Sequence, residues 1–336
     1  MSEFHVRQVT LGKVIKHSNA DTLSLVAVDG DIEEDGSGYP VIFRTGDFKE
    51  GDQAIYIPVD AIVSGDRPEF SHLGAGSEHR IKAKKLRGIF SQGLLVPVPS
   101  ADQTEVSDPN WQEFFGIRKW EPAIDHTIFR GPCAPQPVGV QIPVYDLEGY
   151  RKYGGALVEG EEVVLTEKIH GANMRFVVDA AGELHVGSRT QWKDSLDNLW
   201  WPAFEAMKLD KASLPPEMVF YGEVYGQVQD LKYGVKPGEP PRFAGFDILD
   251  RNEQRWLNYD EAQAIFKQLG IPTVPELYRG PWKKELLALA EQDSTLHPKN
   301  IQEGFVARPP IERAARGLGR VVLKVISKRY LLRKEA

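Results

Sequence analysis

Leu165-Thr166-Glu167-Lys168-Ile169-His170-Gly171-Ala172-Asn173 places a single lysine between an apolar run, Val163-Val164-Leu165, and a glycine turn. Such a stretch reads as a strand whose end delivers an amine into a pocket before the chain bends away. Free lysine titrates near 10.4 and is protonated at neutral pH, so a nucleophilic lysine has to be desolvated or set beside other charges. An isolated KxHG is more often a surface lysine beside a turn. The residues downstream decide between the two readings.

The chain has 336 residues, which favours two domains over one core. A hydrophobic fraction of 41% and a charged fraction of 26% fit a soluble globular protein. No apolar run is long enough to span a bilayer, and Met1-Ser2-Glu3-Phe4-His5 lacks a signal-peptide pattern. Cys133 is the sole cysteine, which excludes an intrachain disulfide and a cysteine-cluster zinc site. A cytoplasmic, monomeric protein with no membrane partner is expected.

The net charge of -7 argues against nonspecific nucleic-acid binding by the whole surface. Its distribution is uneven, however. Arg308 to Ala336 holds nine basic residues (Arg308, Arg313, Arg316, Arg320, Lys324, Lys328, Arg329, Arg333, Lys334) against Glu312 and Glu335. A second basic run, Arg80-Ile81-Lys82-Ala83-Lys84-Lys85-Leu86-Arg87, lies in the N-terminal third. Each reads as a solvated face on composition alone, or as a groove for a polyanion if the rest of the chain calls for one.

Residues 1–98 are β-rich, with runs at Val6–Leu11, Leu23–Val28, Tyr39–Phe43, Gln53–Pro58 and Gly93–Val98. Turn clusters such as Asp29-Gly30 and Gly36-Ser37-Gly38 separate them. Short strands at this density suggest a small closed barrel. Residues 99–143 are Pro-rich (Pro109, Pro122, Pro132, Pro135, Pro137, Pro143) and read as an ordered connector, because Trp111, Phe114, Phe115 and Trp120 need something to pack on. Residues 144–336 mix strands at Glu162–Leu165, Met174–Val178, Met218–Gly222, Phe243–Ile248, Gly304–Ala307 and Val321–Val325 with helices at Asn258–Gln268 and Trp282–Glu291.

Two resemblances arise from particular residues. Leu11-Gly12-Lys13-Val14-Ile15-Lys16-His17-Ser18-Asn19-Ala20-Asp21-Thr22-Leu23, with Lys49 to Pro58 and Lys85 to Leu94, resembles the tRNA-binding type of oligonucleotide-binding (OB) domain. The second module carries six pieces in order: Lys168, Arg189, Glu223, Phe246, Glu303, then Lys324 and Lys328. Taken singly, each has an ordinary structural reading as a turn acid, core aromatic or edge charge. Their order resembles that of the covalent nucleotidyltransferases, which comprise DNA ligases, RNA ligases and mRNA capping enzymes. The KIHGAN form points to RNA ligases, and the OB module in front makes the chain most similar to the Deinococcus-type RNA ligase clade.

The resemblance implies an α+β fold: an N-terminal OB-type β-barrel, then a nucleotidyltransferase domain of antiparallel sheets with flanking helices. It implies an ATP-dependent RNA ligase that joins 5′-phosphate and 3′-hydroxyl ends through lysyl-AMP and RNA-adenylate. Lys168 is then the nucleophile, with Glu223 and Arg189 on the ribose and Phe246 stacked on adenine. Backbone groups around Glu167 and Ile169 would read the base edge. Glu303 would organise Mg²⁺ or Mn²⁺, Lys324 and Lys328 would neutralise phosphate charge, and His170 would lie near the leaving phosphates. Asn173 would shape the turn or touch RNA. Many relatives place the second lysine two residues after the first; here Ile326 stands there, and Lys328 would share the face of Lys324 only if the strand continued. Lys84, Lys85 and Arg87, together with the C-terminal basic segment, are the expected phosphate contacts on nicked duplex RNA or an RNA–DNA hybrid. A capping guanylyltransferase and a noncatalytic RNA- or tRNA-binding protein are the alternatives.

Overall fold

The computed structural model describes residues 4–28, 40–99, 109–120, 132–228 and 230–333. The turn clusters at 29–30 and 36–38, Tyr39, Pro122 and Lys334 lie outside them. The chain divides into two compact units, Met1–Pro122 and Ala123–Ala336, so the division falls within the stretch read as a connector. No described helix is long and apolar enough to cross a membrane.

The first unit carries a sheet of Arg7–Thr10, Gln53–Ile57 and Leu94–Pro97, and another of Ile15–Lys16, Leu23–Ala27 and Pro40–Arg44. Val9, Val26, Val41, Phe43, Ala54 and Leu95 form one core from both sheets. A third sheet orders Arg118–Lys119, Ala61–Ser64 and Glu78–Arg80. Trp111, Phe115 and Ile117 pack against Ile55, Ile57, Val63 and Phe70. The aromatics of the supposed connector thus complete the core of the first unit. In the second unit, Val140 and Ile142 pack with Tyr145, Tyr221 and Trp192, so the later part of that stretch belongs there.

The second unit is built on two five-stranded sheets. One orders Glu148–Gly149, Leu323–Ile326, Gly304–Arg308, Glu162–Glu167 and Glu276–Pro281; only its Glu148–Gly149 pairing is parallel. The other, antiparallel throughout, orders Leu184–Ser188, Ala172–Val178, Met218–Tyr225, Arg242–Asp250 and Arg255–Trp256. Val163, Val164 and Leu165 are all fully buried, because their strand has a neighbour on either side and cover on both faces. Strand alternation sends Phe176, Phe220 and Phe243 into one core, where Phe176 and Phe220 stack with centroids 4.9 Å apart.

The helix Tyr259–Leu269 begins where the Glu261 carboxylate accepts from the Asn258 amide at 2.8 Å and ends at Gly270 with φ 69°. The second expected helix is a 3₁₀ segment, Lys284–Glu291, laid on the first sheet's core through Leu286, Leu287 and Ala290. The segment from Lys168 to Gly171 joins the strand Glu162–Glu167 of one sheet to Ala172–Val178 of the other. The candidate lysine therefore stands where the chain crosses between sheets.

Candidate active site

Lys168 leaves its strand with its amide bound to the Gly304 carbonyl at 2.9 Å. Its Nζ lies 2.6 Å from Glu303 Oε1, with the two side chains 23% and 9% exposed. Burial alone pulls the lysine pKa down, but the Glu303 carboxylate, with Glu223, outweighs it and holds the amine above its ordinary value. The resting amine is an ammonium paired to Glu303. The other Glu303 oxygen, Oε2, is buried without a hydrogen-bond partner.

Gly171 is required by crowding. A Cβ there would sit 2.1 Å from the Val224 carbonyl oxygen and 3.0 Å from Glu223 Cγ. The close approach brings Glu223 against the turn, where it accepts a hydrogen bond from the Gly171 backbone. Burial raises the Glu223 pKa to about 8, with Lys168 opposing and Glu303 adding to the shift. Asn173 is paired with Glu223 across the strands, and its Oδ1 is buried without a partner. Arg189, half-exposed beyond the end of the strand Leu184–Ser188, pairs with Asp146 at 3.0 Å. Its charge also acts on Glu223.

Phe246 owes its placement to a β-bulge. The pairing runs Tyr221 to Asp247 and Gly222 to Gly245, which leaves Phe246 as the extra residue. Its ring lies 4.8 Å from Tyr145, and it packs beside the cluster of Ile169, Tyr225 and Tyr233. Lys324, paired in register with Val306 and Gly149, is held by burial and by Lys168 at a pKa of about 8, against the pull of Glu303, Glu148 and Asp146. Lys324 forms no ion pair among the described residues, which leaves a poorly solvated amine beside Lys168.

Three readings need correction. The strand bearing Lys324 ends at Ile326, and Lys328 opens a helical turn, Lys328–Leu331, capped by Ser327. Lys328 therefore does not share the Lys324 strand face; its amide donates to Glu291 at 2.8 Å. The Glu167 amide is committed to the Pro275 carbonyl at 2.8 Å, so it cannot read a base. The buried Glu167 carboxylate instead accepts from the Thr295 amide at 2.9 Å and from the hydroxyls of Ser294 and Thr295. The Ile169 amide has no hydrogen-bond partner among the described residues, which leaves it the better donor toward a base edge.

The C-terminal basic run is the third. Arg308 and Arg320 pair with the fully buried Asp247 at 3.3 and 2.8 Å, Arg313 with Glu161 at 2.7 Å, Arg329 with Asp293 at 2.8 Å and Arg333 with Asp230 at 3.0 Å. Most of this run is spent on internal ion pairs rather than presented to a polyanion.

Residues 161–326 match the family model described as RNA ligase, and residues 4–98 match an OB-fold domain model. The chain belongs to the RNA ligase family. Among solved structures, the ligase is similar to a point mutant of Naegleria gruberi RNA ligase with ATP and Mn: 25% identity, a TM-score of 0.79, and 98% of each chain covered. A second mutant of that ligase with ATP and Mn is 24% identical with a TM-score of 0.79, and the same ligase with PPi is 24% identical with a TM-score of 0.76. Each covers 98% of both chains. No curated protein matches the chain.

The second unit of the ligase brings together Lys168, Glu223, Glu303 and Lys324, residues far apart in the sequence. In the first unit, Lys84, Lys85 and Arg87 are exposed on a hairpin of Lys84–Leu86 and Ile89–Ser91, whose second strand is buried. Its two-residue turn has positive φ at Arg87 and Gly88. His17 Nδ1 accepts from the Asn19 amide at 3.0 Å, which leaves Nε2 to donate to the Leu86 carbonyl at 3.1 Å. Asn19 Nδ2 donates to the Arg87 carbonyl at 3.1 Å. The His-Ser-Asn stretch that carried the OB resemblance thus holds the basic hairpin in place.

Sequence reading missed the partners of His170. Its Nε2 meets Asp230 Oδ1 at 2.9 Å, its Nδ1 the Tyr330 hydroxyl at 2.8 Å, and its amide donates to the Tyr233 hydroxyl at 2.7 Å. Burial lowers the His170 pKa, against Glu303, and keeps the ring neutral. No periodicity marks residues 226–241, so no pattern pointed to Asp230 or Tyr233.

Proposed function

We propose that this RNA ligase works as a cytoplasmic monomer on nicks in duplexes that contain RNA, with Lys168 as the AMP acceptor. The observation that carries the reading is the 2.6 Å contact between Lys168 Nζ and Glu303 Oε1 in a largely buried site that also holds Glu223 and Lys324. An amine in that contact has its proton acceptor already in reach. As Nζ gives its proton to Glu303, its lone pair attacks the ATP α-phosphorus; a P–N bond forms, the P–O bond to the leaving group breaks, and pyrophosphate departs. An oxygen of the RNA 5′-phosphate then attacks the same phosphorus, the P–N bond breaks, and its electrons return to Nζ, which takes its proton back from Glu303. The 3′-hydroxyl finally displaces AMP and seals the strand.

Each residue has a defined share. Glu223, protonated near neutrality, can both donate to and accept from ribose hydroxyls. Arg189 reaches the ribose and phosphate end, Phe246 offers a ring face to adenine, and the Ile169 amide reads its edge. Lys324 meets the α-phosphate and the leaving oxygens.

A divalent cation would be held by Glu303, whose buried Oε2 lacks a partner. Among the described residues no group of three or more His, Cys, Asp or Glu side chains could hold a metal. One carboxylate with waters and nucleotide oxygens suits Mg²⁺ or Mn²⁺ better than a full protein cage. When bound, the cation supplies charge neutralisation at the phosphates.

Lys324 gives a pH-dependent signature. Its folded value near 8 lies below that of an ordinary lysine, so near pH 8 about half the free protein carries it neutral. An incoming phosphate raises the pKa, so ATP binding takes up a proton near pH 8 and almost none below about pH 6.5. Calorimetry in buffers of different ionisation enthalpy should show this uptake in the wild type and lose it in Lys324→Met.

The duplex reading is tested by sealing nicked duplexes with RNA or DNA on each side of the junction. Sealing of single strands in preference to every nick contradicts it. Lys85→Ala should weaken duplex binding and reduce the slope of log affinity against log salt by about one. An unchanged slope removes the hairpin from the nucleic-acid surface.

A further inference from the structure

His170 stands beside the unpartnered Glu303 Oε2 without bonding to it. Its Nδ1 is 3.8 Å from Glu303 Oε2, close enough that a small ring rotation together with a change of tautomer would let the imidazole donate to that oxygen. Two neighbours prevent it. Asp230 Oδ1, 2.9 Å away, accepts the single N–H of the neutral ring from Nε2, and the Tyr330 hydroxyl, 2.8 Å away, donates to Nδ1. Neither nitrogen is left with a proton for Glu303.

Both neighbours are themselves held. Arg333 Nε bonds Asp230 Oδ2 at 3.0 Å, its guanidinium lies 3.6 Å over the Tyr330 ring, and its Nη1 donates to the Tyr330 carbonyl at 2.9 Å. Tyr330 sits edge-on to the imidazole with centroids 5.2 Å apart. The turn that bears it is fixed upstream, where the Glu291 carboxylate accepts from the Lys328 amide at 2.8 Å. The C-terminal turn is thereby wired to the residue two positions after Lys168.

We propose that Asp230 and Tyr330 are positioning residues that lock His170 in the Nε2–H tautomer and so keep Glu303 Oε2 open for the divalent cation. This rests on the reading of Glu303 as the cation's carboxylate. Asp230→Asn puts an N–H donor opposite Nε2, which drives the proton to Nδ1, the nitrogen that faces Glu303. Tyr330→Phe removes the hydroxyl that occupies Nδ1. Partners that orient groups around a metal site are worth about 10- to 100-fold in metal affinity.

The test is Mn²⁺ binding to the full-length protein, followed by electron paramagnetic resonance of free Mn²⁺, with ¹⁵N shifts of the His170 ring alongside. Asp230→Asn and Tyr330→Phe should each weaken Mn²⁺ binding about tenfold. In Asp230→Asn the ring proton should move from Nε2 to Nδ1. Neither substitution should matter further in a His170→Ala background, which separates the lock from a general loosening of the fold. Wild-type affinity in both variants, or an equal loss in the His170→Ala background, overturns the proposal. Glu303→Gln distinguishes the two failures: if it too leaves Mn²⁺ binding intact, the assignment of the cation to Glu303 has failed, and the lock with it.

Discussion

Lys168→Ala is expected to abolish ATP-dependent sealing, a loss of about 10⁴-fold or more, while sparing most of the sealing of RNA supplied already adenylylated. The split follows from the chemistry. In the proposed reaction Lys168 is bonded to phosphorus only until AMP reaches the RNA 5′-phosphate, and the last displacement relies on the cation, the basic residues and the aligned ends. Lys168→Arg should behave like the alanine variant in the first reaction, because a guanidinium cannot give up its proton to Glu303. Equal loss on both substrates would mean that Lys168 does no more than bind phosphate. The assay is single-turnover sealing of a nicked duplex with ATP, set against the same duplex carrying a 5′-adenylate.

Asp247→Ala is the substitution expected to cost most stability, about 3–5 kcal/mol. Asp247 is fully buried and holds Arg308 at 3.3 Å, Arg320 at 2.8 Å and the Tyr145 hydroxyl at 2.8 Å. Glu312 pairs with both arginines as well, but removing Asp247 leaves two positive charges, one of them almost fully buried, to share a single carboxylate. Tyr145 also packs 4.8 Å from Phe246, so the variant that remains folded should bind ATP more weakly. Arg279→Ala is the control: it breaks the surface pairs with Asp260 and Glu162, whose side chains are more than half exposed, and should cost under about 1 kcal/mol. Urea denaturation of the three proteins measures the difference, and similar losses for both variants would remove the Asp247 network as a keystone of the second unit.

The parts of the site that could be read most directly from the sequence are those that stand close to a glycine at or near a strand end, although Glu223 proves to lie within the strand Met218–Tyr225. Lys168, Glu223 and Glu303 each interrupt or flank an apolar run at a glycine, and the strands around them formed where the runs predicted, within a few residues. Among the strands that were missed, two in the second unit show the physical reasons. Leu184–Ser188 has only two apolar residues, and Glu276–Pro281 is a half-exposed edge strand that ends in proline. Lys328 was misplaced because alternation carries no signal of where a strand stops, and Ser327 starts a helical turn there. The C-terminal arginines looked like a polyanion surface because a charge count does not see partners sixty or more residues away, such as Asp247 for Arg320 or Asp230 for Arg333. The Phe246 bulge was equally invisible, since it is a property of pairing with Tyr221 and Gly222 rather than of its own strand.

The central claim is that Lys168 accepts AMP, and mass spectrometry of the intact ligase after incubation with ATP and Mg²⁺ tests it most directly. The account predicts one added adenylyl group, mapped by proteolysis to Lys168, that is lost on addition of pyrophosphate or of a nicked duplex with a 5′-phosphate. An unmodified chain that still seals the nick, or an adenylyl group mapped to any other residue, would contradict it.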